Sequence, residues 1–284
     1  MPELVRALGT LIEDGAERLR RSRIAEPRRQ AVRIWSELTA GDSAEVFLRR
    51  EAPVEAPVVA HFNRAIERRA KGEPLPHVTG WSGFRKLSLR SDGRALIPRP
   101  ETEGLVDLVL ERAPSGRVAD VGTGSGCIAL SLAAEGNYSD VVGVDCSSAA
   151  LRLAQQNREL VSLPATFVQA DLCGALRAAS LDALVSNPPY LTAAEYASLD
   201  ESVRSWEPEV ALVSGPDGMD VTRRLLTEGR DVVRPGGWIA LEVDCARARA
   251  TGQLAAALGW SDVSVHTDLF GRERYLLARR SDTR

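Results

Sequence analysis

An alternation that begins at Arg117 restricts the fold more than any other feature of the chain. Short apolar runs rich in Val, Ile, Leu and Ala recur, separated by longer stretches with helical spacing. The runs predict strands at Val118–Val121, Val141–Asp145, Thr166–Ala170, Leu181–Ser186, Trp238–Val243, Val263–Thr267 and Arg274–Ala278. The intervening stretches predict helices at Ser125–Ala134, Ser148–Leu160, Asp220–Val233 and Arg247–Leu258. Strands that alternate with helices form right-handed βαβ units and an open, mostly parallel sheet. No helix separates the last two strands, so the final one is expected to enter antiparallel.

The N-terminal part has a different character. Up to residues 71–80 the chain is rich in Ala, Arg, Leu and Glu and shows no strand pattern. Three apolar faces stand out: Leu4, Leu8, Leu11 and Ile12; Val32, Ile34, Trp35 and Leu38; Val58, Val59, Phe62 and Ile66. Pro27, Gly41-Asp42 and Pro53/Pro57 punctuate them, which predicts a small domain of short helices. Its arginine run (Arg18, Arg20, Arg21, Arg23, Arg28, Arg29, Arg33) is interleaved with Glu13, Asp14, Glu17 and Glu26, which favours a solvated face over a nucleic-acid surface. A hairpin is expected next, pairing Phe84–Leu89 with Arg94–Ile97 around Ser91-Asp92-Gly93. A helix follows, opening at Pro100 with Glu101 and Glu103 in its first turn and running to about Arg112. The expected division is a helical domain at 1–73, a linker with the hairpin at 74–100, and an α/β domain at 101–284.

Composition excludes several classes. The 284 residues carry a net charge of −3, which gives no global attraction to nucleic acid. The four cysteines form no C-x-x-C pair, and His61, His77 and His266 are scattered, so no metal site is expected. The cysteines read as small packing residues of a reducing compartment. Neither a bilayer-spanning stretch nor a signal-peptide core is present, so a cytoplasmic protein without membrane contact is expected.

Two segments carry chemistry. Asp120-Val121-Gly122-Thr123-Gly124-Ser125-Gly126 joins the first strand to the first helix, where glycines permit a tight turn and close approach of backbone to ligand. The G-x-G-x-G spacing differs from the dinucleotide fingerprint, and no Lys follows as in a P-loop. Asp120 is placed to hold an ammonium rather than a phosphate. Asp145 ends the second strand, roughly 20 residues on, where a carboxylate takes both ribose hydroxyls. Asp171, followed by Leu172, ends the third strand at the edge of an adenine. Adenosine joined to a charged amino acid fits this set, which points to S-adenosylmethionine, with S-adenosylhomocysteine as product.

The second segment, Asn187-Pro188-Pro189-Tyr190, follows the fourth strand. Two prolines cannot continue a ladder, and Asn187 before a proline is held extended. The stiff turn offers the Asn187 side-chain oxygen and the Pro188 carbonyl to a planar –NH2 group, with Tyr190 to cover its flat face. Methyl donor and amino acceptor share one sheet edge, so methyl transfer to a planar nitrogen is expected. Asn187, Pro188 and Tyr190 are its expected catalytic residues.

The chain resembles the protein glutamine N5-methyltransferases that modify the Gly-Gly-Gln motif of peptide chain release factors. The resemblance rests on Pro74-Leu75-Pro76-His77-Val78-Thr79-Gly80, Ile97-Pro98-Arg99-Pro100-Glu101-Thr102-Glu103, Asp120–Gly126, Asn187–Tyr190, Glu207-Pro208, Ala211-Leu212, Gly215 and Asp217-Gly218. It implies the α/β fold of class I S-adenosylmethionine-dependent methyltransferases: Rossmann-like, with a seven-stranded, mostly parallel sheet and a terminal antiparallel strand. It also implies an N-terminal helical domain, expected to recognise the release factor; a monomer is expected. Asn187, Pro188, Pro189 and Tyr190 would then bind the glutamine, with Arg99 and Glu101 beside it; helix capping and a surface ion pair are the alternative for Arg99, Glu101 and Glu103. Asn-Pro-Pro-Tyr is shared with adenine methyltransferases of DNA, whereas Ile97–Glu103 is more particular to the glutamine enzymes. Glu242 is expected near the cleft or in an ion pair under the sheet. Leu241-Glu242-Val243-Asp244 departs from the family, which usually has glycine after the Glu and one intervening residue, where this chain has Asp244.

Overall fold

A computed structural model describes residues 6–282; Leu4, read from sequence as part of the first apolar face, lies outside the described residues. The chain divides into two compact units, one running to Trp81 and including Asp200–Trp206, the other formed by Ser82–Leu199 and the chain from Glu207 onward.

The first unit is helical. Its elements are β1 (Arg6–Ala7), α1 (Leu8–Arg21), α2 (Pro27–Thr39), α3 (Ser43–Leu48), β2 (Pro53–Val54), α4 (Ala56–Ala70) and α5 (Leu75–Thr79), with the short α10 (Glu201–Arg204) contributed from later in the chain. Leu11, Ile12, Leu19, Ile34, Phe62 and Ile66 are fully buried at its centre. Trp35 meets Phe62 edge-on, with ring centroids 5.9 Å apart. The arginine-rich face is laced by acids: Arg20 and Arg21 pair with Glu17, Arg28 with Glu13, and Arg29 with Glu26. Such exposed pairs contribute little stability. Arg68 fastens the Pro74–Gly80 segment, donating to the carbonyls of His77 and Val78 while pairing with the buried carboxylate of Glu73.

The second unit opens with β3 (Trp81–Phe84) and β4 (Leu87–Arg90), which form a two-stranded sheet. Its turn is Arg85-Lys86, not Ser91-Asp92-Gly93 as the sequence suggested, and no strand forms over 94–97. Arg85 takes a left-handed φ of 52° because tertiary bonds hold it: its N–H donates to Glu103 Oε1 at 2.9 Å and its guanidinium to Glu135 at 2.7 Å. These contacts outweigh the local turn preference of Ser-Asp-Gly. Pro100–Thr102 then makes one 3₁₀ turn into α6 (Glu103–Arg112).

The remaining elements are β5 (Ser115–Val121), α7 (Cys127–Glu135), β6 (Asn137–Asp145), α8 (Ser148–Val161), β7 (Thr166–Gln169), β8 (Leu181–Ser186), α9 (Ala193–Ser198), α11 (Asp220–Val232), β9 (Val233–Glu242), α12 (Ala248–Ala257), β10 (Trp260–Thr267) and β11 (Glu273–Arg280). They build a seven-stranded sheet in the order β10-β11-β9-β8-β5-β6-β7. β5 is parallel to both β6 and β8, while β11 is antiparallel to both β9 and β10. This is the expected α/β architecture, Rossmann-like with one antiparallel strand. β8 is buried on both faces, as a central parallel strand must be. From β5 the chain winds outward through β6 and β7, then returns to the other side for β8 and β9. The strand order therefore switches between β5 and β8, the position where open α/β sheets bind ligands.

Candidate active site

The two chemical segments leave the sheet side by side at that switch point. Ser186, the last residue of β8, donates its hydroxyl to the carbonyl of Val121 at the end of β5, 2.6 Å away. This bond ties the start of the Asn187–Tyr190 turn to the start of the glycine loop.

The loop itself is held from both sides. Gly122 and Thr123 donate backbone N–H groups to the Val144 carbonyl of β6. Gly122 and Gly124 have φ of 73° and 55°, and a Cβ built on either meets nothing closer than 3.9 and 3.7 Å. Glycine is thus required there by backbone conformation, and the space in front stays open to a ligand. At Gly126 a Cβ would press on Phe167 and Ala154 at 3.1 and 3.2 Å, so this third glycine serves helix–strand packing. Asp145 lies opposite: its Oδ2 accepts from Gly124 N–H at 2.9 Å and its Oδ1 from Ser147 N–H at 2.8 Å. Ser147 in turn caps α8.

One cleft is lined by Gly122, Thr123, Gly124, Ser125, Asp145, Asp171, Leu172, Arg99, Asn187 and Pro189. Five residues picked out from sequence stand outside its lining: Asp120, Gly126, Glu101, Pro188 and Tyr190. Asp120 is completely buried under the loop, not at the ligand surface. Its Oδ2 accepts from the Thr123 hydroxyl and from Ala129 N–H in α7, so it anchors the loop to the helix. Burial pushes its carboxyl up to about 7, and Oδ1 has no hydrogen-bond partner. Glu101 contributes its carbonyl, which accepts from the Tyr275 hydroxyl, while Glu103 holds the hairpin turn. Tyr190 sits within electrostatic reach of Glu242 and Arg274, and burial pushes its phenol up to about 12. Asp171 is paired with Arg224 of α11 at 2.9 Å and is largely exposed.

The acceptor side is built from distant segments. Asn187 Nδ2 donates to Thr102 Oγ1 at 3.0 Å, and Thr102 donates its own proton to Glu242 Oε2 at 2.7 Å. Arg99 donates to Glu207 Oε1 at 2.6 Å, and Glu207 is buried. Behind Tyr190 the chain is stapled to the 212–214 segment: Tyr190 and Leu191 donate to the Leu212 carbonyl, and Ser214 donates to the Leu191 carbonyl. Gly218, with φ of 75°, approaches the Tyr190 carbonyl so closely that a Cβ would lie 2.5 Å from it. Asp244 caps the start of the turn into α12, accepting from Ala246 N–H at 2.8 Å, and pairs with Arg247 at 3.4 Å.

Sequence reasoning passed over Arg224 and gave Thr102 no role. Arg224 has no local signature beyond its i,i+4 pair with Glu228. Thr102 lies inside the Ile97–Glu103 run, which was the available signal. Cys127 packs against the core as expected, but Cys146 is exposed on the cleft.

Comparisons with known proteins bear on this arrangement. A family model described as the Methyltransferase small domain matches residues 101–202, and one described as the PrmC N-terminal domain matches residues 10–80. A methyltransferase of Pyrococcus furiosus shares the fold, with a TM-score of 0.54 and 18% identity over 70% of this chain and 91% of that one. A protein of Moorella thermoacetica named release factor glutamine methyltransferase is 39% identical over 275 residues, 95% of this chain and 97% of the relative. Its namesake in Deinococcus radiodurans is 40% identical over 281 residues, 96% of this chain and 99% of the relative. Identity of this extent covers both structural units, and the chain belongs to the release factor glutamine methyltransferase family.

Proposed function

We propose that this protein transfers a methyl group from S-adenosylmethionine to the side-chain amide nitrogen (N5) of the glutamine in the Gly-Gly-Gln motif of peptide chain release factors. The observation that carries the reading is that Asn187 and Pro189 line the same cleft as the glycine loop and Asp145. The cleft suits the donor molecule. Gly122 and Gly124 leave backbone open to it, Asp145 offers lone pairs beyond those used by Gly124 and Ser147, and Leu172, Ala95 and Ile97 provide apolar walls for a base. When bound there, S-adenosylmethionine supplies an electrophilic methyl group on a sulfonium. Asp171 and Leu172 would border its adenine, while Thr123 and Ser125 complete the loop around it.

The chain's own work is on the acceptor. A carboxamide nitrogen is a poor nucleophile because its lone pair is delocalised into the carbonyl. The Asn187 side-chain oxygen and the Pro188 carbonyl would each accept one N–H of the glutamine amide and fix its plane. Positive charge developing on that nitrogen strengthens both bonds, so these acceptors favour the transition state over the ground state. Holding the reactants in line supplies much of the remaining acceleration. Tyr190 would exclude water from the amide, and the nitrogen's proton passes to solvent once it has been methylated. Arg99 and Glu101 would border the glutamine's path. The helical unit would recognise the release factor, with the protein acting as a cytoplasmic monomer that has no nucleic-acid specificity. No helix among the described residues is long and apolar enough to cross a membrane.

The test is incubation of the purified protein with labelled methyl donor and either release factor or DNA. Label on glutamine supports the proposal. Label on adenine, the base-flipping alternative that uses the same four residues, overturns it, as does tight donor binding without any transfer. Asn187→Ala is expected to abolish turnover and leave donor affinity nearly unchanged; equal loss of both would remove Asn187 from the acceptor role.

A further inference from the structure

A buried hydrogen-bond chain behind Asn187 has a defined direction. The Thr102 hydroxyl owns a single proton and gives it to Glu242 Oε2. Its lone pairs are then what faces Asn187, so the Asn187 side chain must present Nδ2 to Thr102 and turn Oδ1 the other way. Reversal of that chain would place Nδ2 against the acceptor –NH2, donor against donor. We infer that Glu242 and Thr102 are positioning residues whose hydrogen-bond polarity keeps the Asn187 oxygen aimed at the acceptor amide. The inference rests on the proposed amide-methylating function and extends it to two residues that act through Asn187, Thr102 at the cleft wall and Glu242 behind it.

The surroundings of Glu242 support a carboxylate held for this purpose. It is buried at the end of β9. Arg274 of β11 reaches within 3.8 Å of its Oε1, leaving Oε2 for Thr102. Tyr275 is its cross-strand register partner, and Arg274 is itself tied to Asp268 at 2.7 Å. From the Pro98–Glu103 segment Glu101 and Arg99 act on it, and Tyr190 faces it from the Asn-Pro-Pro-Tyr turn. Burial raises its carboxyl to about 7, opposed by the Thr102 bond and by Arg274. Protonation makes Glu242 a donor as well as an acceptor, so it no longer fixes the direction of the chain, and turnover is expected to fall as pH drops below about 7.

Glu242→Gln gives the sharpest prediction. The Arg274 guanidinium lies 3.8 Å from Oε1, and its positive charge favours the glutamine oxygen on that side, which turns the –NH2 to Thr102. The chain then runs backward. Thr102→Val cuts it, and Thr102→Ser restores it.

The experiment measures kcat, KM and donor affinity of these three variants and of the wild type on release factor protein across pH 5.5–8.5. Wild-type transfer to glutamine establishes the parent reading; its absence overturns that reading, whatever the variants do. Given transfer, the relay predicts that Glu242→Gln lowers kcat by about 10²-fold, with donor affinity within about threefold of wild type by the same comparison. Thr102→Val should lower kcat and flatten the acidic limb, while Thr102→Ser should recover both. Asp120 titrates in the same range, but its effect does not pass through Thr102 and survives in Thr102→Val. Retention of wild-type kcat in Glu242→Gln would overturn the relay. So would a Thr102→Ser variant as slow as Thr102→Val, or an unchanged acidic limb in Thr102→Val. Should Glu242→Gln fail to fold, the two Thr102 variants decide the question.

Discussion

Gly218→Ala places a single methyl group where it tests how rigidly the acceptor turn must be held. Gly218 has φ of 75°, and an alanine there costs about 1–2 kcal/mol in backbone conformation alone. The new Cβ would lie 2.5 Å from the Tyr190 carbonyl oxygen and 3.0 Å from Arg247 Nε, whereas ordinary contact begins near 3.4 Å. Arg247 is pinned by Glu195 and by the Asp217 carbonyl, so it cannot swing aside freely. The Tyr190 backbone must yield by most of an ångström, at about 1–3 kcal/mol for the overpacked contact. The combined destabilisation of about 2–5 kcal/mol lowers Tm by about 4–20 °C in a domain of this size. Pro188 and Pro189 transmit the shift to Asn187 because neither φ is free to absorb it. A displacement near 1 Å at a reacting group costs about 10²-fold in rate. Donor binding should change little, since Gly218 and Tyr190 both stand outside the cleft lining. Thermal unfolding, calorimetric titration with S-adenosylhomocysteine and steady-state kinetics on release factor separate the three effects. A variant that loses the expected stability yet keeps kcat within about twofold would show that the Tyr190 backbone does not position the acceptor.

Three further perturbations follow from the same geometry. Asp145→Asn keeps one acceptor oxygen and turns a donor toward either Gly124 or Ser147. Loss of one charge-assisted bond, about 1.5–3 kcal/mol, should weaken donor binding by about 10–10²-fold, and unchanged affinity by titration would refute the assignment. The pH dependence of stability carries the mark of Asp120, whose folded pKa of about 7 lies above the ordinary carboxyl value of 3.8. The folded state then binds the proton more tightly, so the wild type loses stability as pH rises from about 4 to 7. Asp120→Asn should therefore gain stability relative to wild type over that range; a pH-independent difference in denaturant unfolding would contradict it. Arg224→Ala frees the Asp171 carboxylate and breaks two surface pairs, with Asp171 and with Glu228, so stability should change by about 1 kcal/mol or less. Donor affinity should hold or improve, and a tenfold loss in titration would make Arg224 itself a ligand.

What the sequence disclosed about this molecule was whatever lies close together along the chain. The glycine loop, Asp145 and Asn187 each sit at the end of a strand that its own apolar run announces, so their convergence on one sheet edge followed from βαβ topology alone. The bonds that aim them did not. Thr102 is 85 residues from Asn187 and 140 from Glu242, and Arg99 is 108 from Glu207. No local pattern encodes such pairings. The displaced hairpin has a related cause: Ser91-Asp92-Gly93 is the better isolated turn, but Glu103 and Glu135 reward a turn at Arg85 that only the folded sheet can offer. Asp120 was legible as part of the loop and misread in its role, because burial beneath the loop cannot be seen in the residue order.

The placement of β11 governs the order in which the site is completed. The strand latest in the chain occupies an interior slot between β9 and β10, not an edge. A nascent chain that has emerged as far as Glu242 already holds the glycine loop, Asp145, Thr102 and Asn187. It still lacks Arg274, which steadies Glu242, and Tyr275, whose hydroxyl fastens the Glu101 carbonyl. Non-local pairing of this kind is slow, and an open slot beside β9 is a template for the wrong strand until it is filled. If the chain folds as it is synthesised, the donor half of the cleft would form from contiguous chain and the acceptor half would wait on the insertion of β11 between β9 and β10.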